Sequence, residues 1–167
     1  DVVLVHRIDD GTPIDAIFEG LAGAVEAGAV GAVGTSSMAG DLLLDAHQSA
    51  TEVGLPLIAE QCILSALDRS AEASILPVVQ RLGMRPFLYG VLDEGLLVER
   101  ALGPPAAGGE RPKDGIGIHP WPGAAEVAYE RRQEVAGSLA ALARGAGVTL
   151  VELAVGFAGE VGARYGS

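Results

Sequence analysis

The stretch DVVLVHRIDD, Asp1 to Asp10, decides how the fold is read. Its four apolar residues Val2 to Val5 are closed by His6, Arg7, Asp9, Asp10 and Gly11. A short β-branched run bounded by polar and turn residues reads as a fully buried strand of a parallel sheet. A titratable side chain directly after such a strand stands where α/β folds build active sites, at the carboxyl ends of the strands. His6 is therefore a candidate functional residue. The plainer alternative is a histidine that closes a strand end and bonds to a nearby carbonyl.

Outward from this strand, Thr12-Pro13 reads as a helix start, a hydroxyl cap followed by proline at the first helical position. Pro13 to Ala27 carries Ile14, Ile17, Phe18, Leu21 and Val25 at helical spacing, and Gly28 is a stop. Val30 to Val33 is a second strand, Asp41 to Val53 a second helix, and Leu57 to Ala59 a third strand leading into Glu60-Gln61-Cys62. Ala71 to Leu82 is a third helix and Pro86 to Leu92 a fourth strand. Strand and helix thus alternate in βαβ fashion, which implies a parallel sheet with right-handed crossovers. After Leu97 the pattern changes: residues 100–123 hold five prolines and six glycines, too many for a helix or a central strand, so they read as a long loop. Its tryptophan, Trp121, reads as an anchor pinning that loop to the body. Ala124 to Arg144 is a long helix offering Val127, Val135, Leu139 and Leu142 for burial, and Thr149 caps a last helix from Leu150 to about Ala163.

The 167 residues suffice for one domain, residues 1–167, with a sizeable core. A formal net charge of −11 argues against nucleic acid or an anionic membrane surface as partner. A small anionic ligand held by backbone amides stays open. With Cys62 as the one cysteine, an internal disulfide is excluded, and a reducing, cytoplasmic setting fits best. No apolar run approaches the roughly 20 residues of a membrane span. Neither His47 nor His119 has metal-ligand spacing with Cys62, so no metal is expected. Cys62 itself reads as a packed thiol. A chain that opens on a core strand without a methionine is expected to be a fragment, processed or renumbered.

Several segments, in order, match one family: Val5-His6-Arg7-Ile8-Asp9, Thr12-Pro13-Ile14, Gly34-Thr35-Ser36-Ser37, Gln61 through Leu67-Asp68-Arg69-Ser70, Leu82-Gly83, Tyr89-Gly90-Val91-Leu92 and Gly95-Leu96-Leu97. The sequence resembles the aldo-keto reductases, from the fourth barrel strand to the helix before the eighth. The resemblance implies an α/β fold of the (β/α)8 TIM-barrel type, incomplete here, with about four parallel strands and flanking helices. It also implies NADPH-dependent reduction of a small-molecule aldehyde or ketone. His6 takes the place of the family's histidine that orients and polarises the substrate carbonyl, where hydride transfer builds negative charge. Ser36, Ser37 and Gln61 stand where the family recognises the nicotinamide amide, and Tyr89, Gly90 and Leu92 in the loop that packs near the pyrophosphate.

The departures are specific. Ser37 replaces an asparagine, Cys62 a proline, and Leu64 a tyrosine whose ring stacks on the nicotinamide in many members. Gly90-Val91 replaces Ser-Pro, and Asp93-Glu94 brings two carboxylates to a pyrophosphate loop, which is electrostatically wrong unless they point away. The family's general-acid tyrosine, its lysine and its aspartate belong to strands ahead of Asp1, and the last strand to residues beyond Ser167. Two readings stand beside the reductase: a non-catalytic scaffold that has lost redox chemistry, and a split protein completed by a partner chain or by self-association across open strand edges.

Overall fold

The computed structural model describes residues 1–9, 11–38, 40–99 and 126–166. Its elements alternate as βαβ arithmetic requires: β1 (Val2–Val5), α1 (Ile14–Glu26), β2 (Ala32–Ser36), α2 (Gly40–Glu52), β3 (Leu57–Ile63), α3 (Ser70–Ser74), α4 (Leu76–Arg81), β4 (Arg85–Tyr89), α5 (Glu126–Ala146) and α6 (Leu150–Tyr165). A 3-10 turn, Asp93–Gly95, follows β4. The four strands form one parallel sheet in the order β1-β2-β3-β4. The long loop expected over 100–123, with Trp121 and His119, lies outside the described residues.

The chain divides into two compact units, one of Asp1–Leu64, Arg69–Tyr89 and Glu160–Ser167, the other of Ser65–Asp68 and Gly90–Gly159. The first holds the sheet. Phe18 of α1 and Leu43, Ala46 and Ala50 of α2 bury completely against Val33 and Val79, and Leu57 and Met84 close the same core. Burial of this apolar surface is what holds these helices on the sheet. A polar tie adds register, as Ser49 Oγ of α2 donates to Asp15 Oδ1 of α1 at 2.6 Å. Gly34 is required where β2 passes between its neighbours, because a Cβ there would meet the Ala59 carbonyl oxygen at 2.6 Å and Leu4 Cδ2 at 2.7 Å.

In the second unit Leu97, Ala136, Ala140, Leu150 and Ala154 form the core. Among its described side chains, α5 fully buries Ala136, Ala140 and Ala143, with Leu139, expected inside, partly buried against the same core. Val135 and Leu142, expected inside, are 42% and 62% exposed, since Ala136, Ala140 and Ala143 let the helix approach more closely on the adjacent face. The capping of α6 is as read. Thr149 Oγ1 accepts from the Glu152 N–H at 3.1 Å, and Glu152 Oε2 accepts from the Thr149 N–H at 2.7 Å, a reciprocal capping box.

The structure corrects further expectations. β1 is not fully buried: Val2 is 43% and Val3 38% exposed, because β1 is an outer strand paired on one side only. Thr12 does not cap α1. Its hydroxyl donates to Asp9 Oδ2 at 2.9 Å, and Pro13 occupies the cap position. β2 begins two residues later than read, because Val30 and Gly31 belong to the turn: the Gly31 N–H donates to the Asp1 carbonyl. β3 continues through the polar pair Glu60-Gln61 to Ile63. The helix expected over 71–82 is broken at Ile75, since Pro77 lacks the N–H a continuous helix needs and its ring crowds the carbonyl one turn back. β4 stops at Tyr89, and residues expected to extend it turn over into the 3-10 segment.

Candidate active site

Parallel pairing brings the carboxyl ends of β2, β3 and β4 together, and the register decides which side chains meet. Ser36 is the partner of Gln61, and Gln61 of Phe87, so these three share one face of the sheet; Ile63 and Tyr89 follow two residues on. Thr35, Glu60 and Pro86 are partners on the opposite face. Ser36, buried, donates from Oγ to Gln61 Oε1 at 3.2 Å. Ser37 sits beyond the strand in the left-handed region, with φ of 54°, and its N–H donates to the Gln61 carbonyl at 2.8 Å. The Ser37 hydroxyl lies 3.2 Å from the Tyr89 hydroxyl. Three hydroxyls and one primary amide therefore form two linked pairs at one end of the sheet.

The sequence-predicted residues fall out as follows. Ser36, Ser37, Gln61 and Tyr89 are brought together. His6 follows Val5, whose partner is Thr35, and so stands at the same carboxyl end, where it is exposed and has no hydrogen-bond partner among the described residues. Gly90 and Leu92 belong to the second unit. Gly90 has φ of 70°, and its carbonyl accepts from the Asp93 N–H at 2.8 Å, while the Leu92 carbonyl accepts from Gly95 and Leu97. Leu64, at the position of the family's tyrosine, is fully buried.

In that second unit the Asp93 carboxylate does not face solvent. It is buried, its Oδ1 accepting the Ser65 hydroxyl at 2.8 Å and pairing with the Arg132 guanidinium of α5. Ser65 Oγ in turn accepts the N–H groups of Leu67 and Asp68. The negative charge that looked misplaced in the sequence is thus neutralised within the unit, and Glu94 alone of the two remains exposed.

Sequence reasoning passed over Glu60. It is fully buried, with Oε1 accepting the Met38 N–H at 3.1 Å and Oε2 buried without a partner among the described residues. Burial pushes its carboxyl above the ordinary glutamate value, opposed by the nearby Thr35 hydroxyl and the Met38 and Ser37 N–H groups. Burial, with the Glu60 charge on the same face, pushes the Cys62 thiol up to about 12. Cys62 is a packed thiol, as read. An open groove of about 750 Å³ lies at the other end of the sheet, lined by His47, Thr51, Leu57 and Arg85 among others. It involves none of the candidate residues.

A bound nicotinamide carboxamide must be offered both a donor and an acceptor. Gln61 has an amide group of its own, and Ser36, Ser37 and Tyr89 each carry a hydroxyl that serves either way, so the donor set present fits that group. Comparison with known proteins identifies the family. The sequence pattern of the Aldo/keto reductase family matches residues 1–164, and the chain belongs to that family. It is 36% identical over 99 residues to an uncharacterized oxidoreductase, YrpG, of Bacillus subtilis (strain 168), a match covering 59% of this chain and 30% of that protein. Among solved structures it is similar to the glycerol dehydrogenase AKR11B4 from Gluconobacter oxydans, with a TM-score of 0.75 and 26% identity over 97% of this chain and 46% of that one. It also shares its fold with the thermostable aldo-keto reductase Tm1743, at a TM-score of 0.62 and 19% identity, covering 92% of this chain and 43% of that one. The chain thus spans less than half the length of each of these relatives, and its four strands with their helices form part of a barrel of that type.

Proposed function

We propose that the protein is an NADPH-dependent reductase converting a small-molecule aldehyde or ketone to an alcohol. The observation that carries this is the convergence of Ser36, Ser37, Gln61 and Tyr89 at the carboxyl ends of three neighbouring strands. In this reading Gln61, fixed by the Ser36 hydroxyl, presents its amide to the nicotinamide carboxamide, and Ser37 supplies the second contact that asparagine gives elsewhere in the family. The nicotinamide, when bound, supplies the hydride. Tyr89 offers an aromatic face beside it, replacing the ring lost at Leu64. His6 donates to the substrate carbonyl oxygen as charge builds there. Paired away by Arg132, Asp93 leaves the loop after β4 without its charge. We place this activity in the cytoplasm, with neither nucleic acid nor membrane as partner. Among the described residues no single helix is long and apolar enough to cross a membrane, although α5 from Arg131 and α6 pass that test as a bent pair. The outer strands β1 and β4 fit pairing with further strands, from a second copy or a complementing chain.

Titration of the full-length protein with NADPH tests the reading: saturable quenching or a shift of cofactor fluorescence is expected, with aldehyde-dependent oxidation that His6→Ala reduces at least about a hundredfold. Absence of NADPH binding refutes it. The buried Leu64 favours the second reading, a scaffold that has lost redox chemistry. Under that reading aldehydes elicit no turnover even at saturating cofactor.

A further inference from the structure

Three consecutive residues at the end of β2, Ser36 to Met38, are pinned by two consecutive residues of β3. Ser36 Oγ donates to Gln61 Oε1, the Ser37 N–H to the Gln61 carbonyl, and the Met38 N–H to Glu60 Oε1. Successive strand side chains point to opposite faces, so Gln61 grips this turn from the candidate site and Glu60 from behind it. The turn needs gripping. Ser37 is a non-glycine residue at φ of 54°, a conformation that persists only where the surroundings impose it. Glu60 is costly to bury, being fully enclosed with Oε2 unpartnered among the described residues, and an apolar residue would fill the space more cheaply. What an apolar residue cannot do is accept the Met38 N–H, which would then be stranded in the interior just ahead of α2.

From this we infer that Glu60 is a positioning residue for the nicotinamide end of the cofactor site. Its carboxylate anchors Met38, which keeps Ser37 in its left-handed conformation and thereby sets the Ser36 and Ser37 hydroxyls against Gln61 and Tyr89. Glu60 touches neither cofactor nor substrate. The inference rests on the functional reading above and adds to it a residue on the hidden face of the sheet.

The test compares two ligands on the full-length protein: NADPH, and adenosine 2′,5′-bisphosphate, which carries the adenosine end of the cofactor and no nicotinamide. Glu60→Leu is expected to weaken NADPH binding about tenfold, the order of effect of one stranded buried donor, while affinity for the bisphosphate stays within about twofold. Glu60→Gln retains an acceptor for Met38 and is expected to restore NADPH affinity to within about threefold of the parent. A general structural role predicts equal loss for both ligands, and that result, or no loss for either, overturns the inference. So does a Glu60→Gln variant as weak as Glu60→Leu. Should Glu60→Leu not fold, amide exchange in the parent protein decides: NADPH, and not the bisphosphate, is expected to slow exchange at Ser37 and Met38, and equal slowing by both overturns the inference. A parent protein that binds no NADPH overturns the functional reading and this inference together. A parent that binds NADPH with Glu60→Leu unaffected overturns the inference alone.

Discussion

Replacing Arg132 with methionine isolates the ion pair on which the segment after β4 depends. Asp93 is buried and accepts both the Ser65 hydroxyl and the Arg132 guanidinium, whose side chain is 35% exposed. Asp93 and Glu94 adopt φ of 51° and 54°. Such non-glycine conformations cost on the order of 1–3 kcal/mol each, less for aspartate, and need compensating contacts. Two unit charges about 4 Å apart attract by about 4 kcal/mol at an effective dielectric of about 20. Solvent at the guanidinium screens part of this. Stranding a fully buried charge costs about 3–5 kcal/mol. Scaled for the exposed third of Arg132, Arg132→Met is expected to destabilise by about 2–3 kcal/mol. Asp93→Asn keeps an acceptor for Ser65 and tolerance of the left-handed region, and Arg132 can rehydrate, so about 1 kcal/mol is expected. The double variant should be no worse than Arg132→Met, leaving a coupling of about 1–2 kcal/mol. Urea denaturation of the full-length protein followed by far-UV circular dichroism measures all four species. Additivity within about 0.5 kcal/mol refutes the reasoning and leaves Arg132 acting through its aliphatic stem alone.

Three further outcomes are expected. Glu94→Gly removes a side chain from a left-handed position at an exposed site, and should be neutral or stabilising by up to about 1 kcal/mol in the same denaturation; a loss of more than that would show that Glu94 makes a contact worth its conformation. Glu60 has its carboxyl raised from the ordinary value of 4.5 by burial, so its ionised form is penalised in the folded state. The stability associated with that raised value is present below the unfolded pKa and lost as pH rises through the folded one. Glu60→Gln therefore gains on the parent as pH is raised from about 4.5 and stays level above the folded value, whereas a gap independent of pH would refute the assignment of Glu60 as the titrating group. Cys62, fully buried with its thiol pushed up to about 12, should react with a thiol reagent at pH 8 no faster than the protein unfolds; immediate labelling would place it at an accessible surface.

What could be read ahead of the structure divides along physical lines. The βα alternation was legible because α1 and α2 follow local helical apolar periodicity and β1 is a short β-branched run, signals that need no partner to be seen. Ser36 and Gln61 could be paired only through the family resemblance, since 25 residues separate them and nothing local says that their strands are neighbours in register. The break at Ile75 did carry a local signal, Pro77, and was legible in principle. Glu60 was hidden for the opposite reason: a glutamate beside a glutamine looks like the end of a strand, and only its enclosure beside β2, with the Met38 N–H turned onto it, makes it a buried anchor. Asp93 shows the same limit with its sign reversed. Read locally it was a charge in the wrong place, and the cation that answers it lies 39 residues further on, in a helix whose sequence gives no hint of that partnership. Apolar patterning thus announces where a chain is dry, but the polar groups that function needs inside a dry region are defined by pairs. A glutamate whose second oxygen has no partner among the described residues of such a region is costly enough that its position demands a purpose, and holding the turn that bears Ser36 and Ser37, through the Met38 N–H, supplies one.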